Sequence, residues 1–183
     1  MNCPTFSLRS FARLAVSALA ATALVTAAAA QADPPSRRPD LPAGCEALEV
    51  PAGHVVTLSV YAVGVQTYRW NAATLSWTFT GPQALLFPNA HTPHPIGVHS
   101  PGPIWEVAGG TVAGSVVANH TVDPTAVPWL LLAASSTGTG VVADTAFVQR
   151  INTTGGRAPS WNGFPDEVVA VPYTAEYYFY RAL

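Results

Sequence analysis

From Val55 onward, apolar and polar residues alternate in short runs, and Gly or Pro interrupts them at close intervals. Alternation with a period of two places successive side chains on opposite faces of an extended strand. The runs predicted as strands are Val55–Val63, Val65–Trp70, Leu75–Phe79, Ala84–Phe87, Ile104–Val107, Thr111–Ala118, Trp129–Ala134, Val141–Ile151 and Tyr173–Tyr180. Turn-forming residues separate them: Asn71-Ala-Ala, Gly81-Pro82, Pro101-Gly-Pro103, Gly109-Gly110, Asp123-Pro124, Gly138-Thr-Gly140 and Gly155-Gly156. The last run shows the period most clearly. Tyr173, Ala175, Tyr177 and Phe179 form a core face, and Thr174, Glu176, Tyr178 and Tyr180 form a wetter one. No uninterrupted amphipathic helix of about ten residues follows Ala32. The pattern predicts one all-β domain, a β-sandwich or β-barrel of about 8–10 short strands.

The first segment has a different character. Arg9 and Arg13 precede an uncharged Ala- and Leu-rich run over 14–30, which closes on Ala30-Gln31-Ala32. A positive start, an apolar run and a small-x-small site in that order predict a signal peptide over residues 1–32. The expected destination is extracellular or periplasmic. Residues 33–47 read as a Pro-rich, extended leader, with the all-β domain over 48–183. No later run is long and apolar enough to predict a membrane span after cleavage. Cys45 is then the one remaining cysteine, so no intrachain disulfide is expected. The neighbouring Glu46 disfavours its thiolate, which argues against a nucleophile.

Charge narrows the partners. Only 10% of the 183 residues are charged, and eight basic residues, all Arg, face ten acids for a net charge of −2. No basic surplus is available to neutralise phosphates, so no nucleic-acid partner is expected. The composition also excludes a disordered polyelectrolyte.

Three constellations carry candidate chemistry. His91, His94 and His99 lie within nine residues, with Glu106 or His120 as a further donor for Zn²⁺ or Cu²⁺. Pro93 and Pro95 bar the helix that would align them. They are weak candidates, so neither a metal nor a cofactor is predicted. The stretch His99-Ser-Pro-Gly-Pro-Ile-Trp105-Glu106 sets an imidazole, a hydroxyl, an indole and a carboxylate on one turn and the following strand. On a regular strand Trp105 and Glu106 face opposite sides. The choice is between a structural turn with a core Trp and a pocket where His99 and Glu106 hold a polar ligand. Gln149 and Arg150 likewise oppose each other. A buried Arg150 needs a partner, either Glu106 or Asp144 in an ion pair, or an anionic ligand. Tyr178 is a candidate for lining a groove. The candidate ligand-binding set is therefore His99, Trp105, Glu106, Gln149, Arg150, Tyr68 and Tyr178. No Gly-x-Ser-x-Gly elbow supports serine hydrolysis.

Six segments in order resemble one bacterial and fungal family of secreted proteins, catalogued as domain of unknown function family 3455. They are Gly64-Val-Gln-Thr-Tyr68, Pro82-Gln-Ala-Leu-Leu86, Gly97-Val-His-Ser-Pro-Gly-Pro-Ile-Trp-Glu106, Pro128-Trp-Leu-Leu-Leu132, Val148-Gln-Arg-Ile-Asn-Thr-Thr-Gly-Gly-Arg-Ala-Pro159 and Val171-Pro-Tyr-Thr-Ala-Glu-Tyr-Tyr-Phe-Tyr180. The resemblance implies export and a β-rich domain, and it supplies no catalytic residues. Relatives often carry a cysteine after the Gln-x-Tyr segment and another after the Gly-Gly-x-Ala-Pro segment. Trp70 and the neighbourhood of Trp161 hold those places here. Some fungal relatives bear a malate dehydrogenase label, but this chain has no Gly-x-Gly-x-x-Gly for a dinucleotide. The expected function is a non-catalytic secreted module that binds a small polar or sugar-like ligand or a surface partner. The alternatives are a hydrolase or metal-dependent enzyme centred on His99 and Glu106, and a structural envelope or matrix protein.

Overall fold

The computed structural model describes residues 38–183. The predicted signal peptide and the start of the leader lie outside the described residues. Eight strands follow a single turn of 3₁₀ helix at Glu46–Leu48. They are β1 (His54–Asn71), β2 (Ser76–Phe87), β3 (Gly97–Ser100), β4 (Ile104–Val107), β5 (Gly110–His120), β6 (Trp129–Gly138), β7 (Thr145–Gly155) and β8 (Val168–Ala182). Each pairs antiparallel with the next, and β8 returns to pair with β1, closing a barrel. Closure leaves no long unpaired edge beyond the one notch described below.

The architecture is all-β as expected, and of the two forms predicted it is the barrel. Several strands are longer than their sequence runs. Val55–Val63 and Val65–Trp70 are one strand of 18 residues. Gly64, at their junction, meets β2 at close range: a Cβ there would lie 2.1 Å from the Gln83 carbonyl oxygen. Its role is close backbone approach within a strand. Leu75–Phe79 and Ala84–Phe87 also merge, into β2. Gly81-Pro82, read as a turn, is a bulge instead. Thr67 faces Gly81 and Tyr68 faces Phe79, so Thr80 is the extra residue. Conversely, β3 had no predicted counterpart, and Val141–Asp144 forms the turn before β7.

Alternation sorts the side chains into two apolar clusters. The barrel interior holds Val60, Ala62, Leu86, Trp105, Val112, Leu132, Val148, Ala175, Tyr177 and Phe179, all buried. The opposite pleat of β6, β7 and β8 carries Leu131, Trp129, Ile151 and Tyr180, which pack outside the barrel against Cys45, Leu48 and Val50. The described part of the leader thus covers a face that its sequence pattern marked as wet, and Tyr180 is 1% exposed. Polar ties hold it there. Arg38 donates to the carbonyls of Val50 at 2.9 Å and His54 at 2.6 Å, and its guanidinium stands 5.4 Å from the centre of the Tyr180 ring. Cys45 is a free, buried thiol, and burial followed by the Glu46 charge pushes its pKa up.

Trp70 and the neighbourhood of Trp161, where the resemblance implies cysteines in relatives, lie side by side. Trp70 stacks edge-on with Trp77 at 5.3 Å, and Gly163 sits directly on the Trp70 ring. The Trp77 indole donates to the Trp161 carbonyl at 2.9 Å. Aromatic packing occupies the contact here.

Leu48 is fully buried between the leader and the barrel. Leu48→Ala is expected to lower the unfolding free energy by about 2–5 kcal/mol in urea titration, with the barrel itself retained.

Candidate functional site

The site begins with a mismatch in strand length. β3 and β4 have four residues each, far fewer than the strands on either side. β2 therefore pairs with β3 only over Ala84–Leu86, and β5 pairs with β4 only over Gly110–Ala113. The remainder of both long strands faces no strand across this gap. The short hairpin leaves a notch in the barrel wall beneath its turn, Pro101-Gly102-Pro103. Pro82, Pro101 and Pro103 border the notch, and proline cannot offer an N–H to an incoming strand. The turn is fixed in place: Gly114 N–H donates to the Pro103 carbonyl at 3.0 Å. A Cβ on Gly81, at φ +140°, would lie 2.6 Å from the Pro101 side chain.

Behind the notch is a cavity of about 450 Å³. Every strand contributes to its lining, and Gln66, Tyr68, Phe79, Thr80, His99, Trp105, Arg150 and Tyr177 supply polar and aromatic groups. His99 and Trp105 lie directly opposite each other on β3 and β4. Their rings stack at 4.5 Å with an interplanar angle of 2°. Tyr177 meets both edge-on, at 5.1 Å and 5.4 Å. His99 Nδ1 bonds the Ile104 carbonyl at 2.8 Å. A carbonyl only accepts, so the proton is on Nδ1 and the neutral ring keeps Nε2 as an acceptor. Burial lowers the His99 pKa to about 4; the Ile104 bond opposes this and the Arg150 charge adds to it.

Arg150 enters the same cavity from β7. Its Nε and Nη2 donate to the Pro128 carbonyl at 3.1 Å and 2.7 Å. Among the described residues, no carboxylate lies within 4.0 Å of it. The expected ion pair with Glu106 or Asp144 does not form. Glu106 lies on the outward pleat of β4, exposed and opposite Val98, while Asp144 is exposed in the turn before β7. Two further cavity groups have no partner among the described residues: Gln66 Nε2 and Trp105 Nε1. Both side chains are 1% exposed. The Tyr173 hydroxyl neighbours the Gln66 amide without meeting hydrogen-bond geometry, so Nε2 remains unpartnered. Tyr68, by contrast, is satisfied: its hydroxyl donates to the Gly156 carbonyl at 2.7 Å.

The candidate set therefore divides. His99, Trp105, Arg150 and Tyr68 share the cavity. Glu106, Gln149 and Tyr178 do not. The alternation that turns Trp105 and Arg150 inward turns Glu106 and Gln149 outward. Gln149 anchors the segment just after the leader, donating to the Leu48 carbonyl at 2.8 Å and accepting from the Tyr180 hydroxyl at 2.9 Å. Tyr178 is half-buried on the barrel exterior and donates to Glu176 at 2.9 Å. His91 and His94 are exposed in the loop before β3, apart from His99 inside the barrel. The described residues contain no group of three side chains placed to hold a metal ion. Two cavity residues, Gln66 and Tyr177, were absent from the sequence-derived set. Gln66 had a signal: it shares the inward parity of Val60, Ala62 and Tyr68, a polar residue on an otherwise apolar face.

These features sit on a closed eight-stranded antiparallel barrel, in which strand number sets an interior sized for side chains or one small ligand. Residues 51–181 match the model of a family described as protein of unknown function (DUF3455), and the chain belongs to that family. Neither the curated proteins nor the solved structures gave a match.

The depressed His99 pKa has a pH signature. The unfolded imidazole takes a proton near pH 6.5, whereas the folded one stays neutral to about pH 4. Its contribution to stability is complete above pH 6.5 and is lost as the pH falls from there to about 4. That loss is on the order of 3 kcal/mol. In urea unfolding at a series of pH values, His99→Gln should flatten the fall of stability across this window. Parallel curves for the two proteins would show that His99 is protonated alike in both states.

Proposed function

We propose that this chain is an exported, non-catalytic binding protein that holds one small ligand with a polar head in the barrel, entering through the notch between β2 and β5. The observation that carries this reading is the pair of nitrogens without partners among the described residues, Gln66 Nε2 and Trp105 Nε1, buried just beneath the lining of an open cavity. A buried polar group without a partner costs roughly 1–3 kcal/mol. A ligand that accepts from these groups recovers that cost on binding. The remaining wall is largely apolar and aromatic, as in sites that enclose small molecules.

Catalysis draws little support from the same groups. Among the described residues, the cavity lining contains no carboxylate, serine or cysteine. His99 Nδ1 is held by Ile104, and Glu106 is on the other side of the sheet. Export is the expectation set by the first 32 residues.

Val116 lines the cavity from β5 and is 48% exposed, so it stands at the mouth and not in the core. A screen of small molecules by NMR should give binders that shift the indole N–H resonance of Trp105. Val116→Trp should fill the entrance and weaken every such binder by at least about tenfold, with the melting temperature retained. Binders unaffected by Val116→Trp, and silent at the Trp105 indole, would place binding elsewhere and overturn the proposal.

A further inference from the structure

We infer that the ligand of this cavity is a small carboxylic acid in its anionic form, its carboxylate held by Arg150 and its flat apolar body against the apolar lining; this rests on the binding function proposed above. Three observations point to that class. The first is charge. Arg150 is 8% exposed, and both hydrogen bonds it makes go to one neutral carbonyl. Among the described residues no carboxylate comes within 4.0 Å, so none of them pairs with its positive charge. A buried unpaired cation is costly, and an anion beside it removes that cost.

The second observation is the polarity of the free groups. The Trp105 indole can only donate, and so can the guanidinium. Gln66 can turn its nitrogen toward the cavity, and that nitrogen is unpartnered. The Tyr68 hydroxyl proton is engaged by Gly156. His99 Nε2 is an acceptor in the same lining, but the guanidinium and the two unpartnered N–H groups outnumber it and suit a group that accepts. A carboxylate does so with two oxygens, and it matches the planar guanidinium better than a neutral carbonyl does. The third is shape. The accessible lining is apolar: Phe79 and Val116 are about half exposed and Leu130 is half-buried, over a buried aromatic floor of His99, Trp105 and Tyr177. A flat hydrocarbon or aromatic body fits such a surface, whereas a sugar would leave its many hydroxyls facing carbon. The cavity volume, about 450 Å³, admits a one- or two-ring acid.

The test is calorimetric titration of the purified protein at pH 7 with 2-naphthoate, with 2-naphthamide, and with inorganic sulfate. Naphthoate should bind roughly 10–100-fold more tightly than the isosteric amide, and sulfate weakly. Arg150→Gln should bring acid and amide to parity. Arg150→Lys keeps the charge and should keep a reduced preference for the acid, which guards against simple misfolding in the Gln variant. If acid and amide bind equally in the unaltered protein and both respond to Val116→Trp, the anionic assignment is overturned while the cavity remains a binding site. If neither naphthyl compound binds, or sulfate binds as well as naphthoate, the assignment of a flat-bodied acid falls. If the three probes fail and the wider screen also yields nothing at Trp105, the binding function falls with it.

Discussion

Closure of the sheet through the pairing of β1 with β8 is the constraint on which everything else depends. This pairing runs from His54–Ala182 to Arg69–Val168 and is the longest in the barrel. It converts an eight-stranded meander, which would otherwise expose two long edges, into a wall with an inside. Only with an inside do the alternate residues of each strand acquire a common destination. Leu86, Trp105, Leu132, Val148 and Tyr177 come from five strands and meet only because the ends of the sheet meet. The same closure forces the opposite pleats outward, and β6, β7 and β8 bury theirs beneath the leader.

A closed apolar interior raises the cost of any polar group within it, and this barrel contains several. His99 meets that cost by staying neutral and bonding Ile104. Tyr68 and Thr153 meet it by donating to main-chain carbonyls. Arg150 meets it only in part, and Gln66 and Trp105 leave nitrogens without partners among the described residues. The three incompletely satisfied groups all line the cavity behind the notch. Polar groups of this kind scattered through a core would simply destabilise it. Gathered at one opening, they form a place where a molecule from outside completes the hydrogen bonding. The short β3–β4 hairpin is what makes the opening, so fold and site have one origin in a local shortage of strand.

Much of the fold was legible because period-two alternation records which pleat faces inward. The β8 face of Tyr173, Ala175, Tyr177 and Phe179 was read correctly from that pattern, and the turns at Asn71 and Pro101–Pro103 from their residue types. Barrel and sandwich were not separable, because both need the same alternation and differ only in whether the first and last strands pair. Gly64 and Gly81 misled for a related reason. Glycine serves equally in a turn, a bulge or a close approach between backbones, and only the neighbouring strand decides. The site was half legible. Trp105 opposite Glu106, and Arg150 opposite Gln149, followed from parity. Which member of each pair pointed inward did not, since that depends on the register of the whole sheet. Tyr180 looked wet because the strand pattern carries no trace of the leader that covers it.

Amide hydrogen exchange across the β1–β8 seam tests closure most directly. In a closed barrel, the amides of Val60, Ala62, Ala175 and Tyr177 should be among the slowest in the protein, exchanging only with global unfolding. Rapid exchange along both strands, with the rest of the sheet still protected, would mean that the seam is open. The interior, the cavity and the stranded donors would then have no enclosing wall.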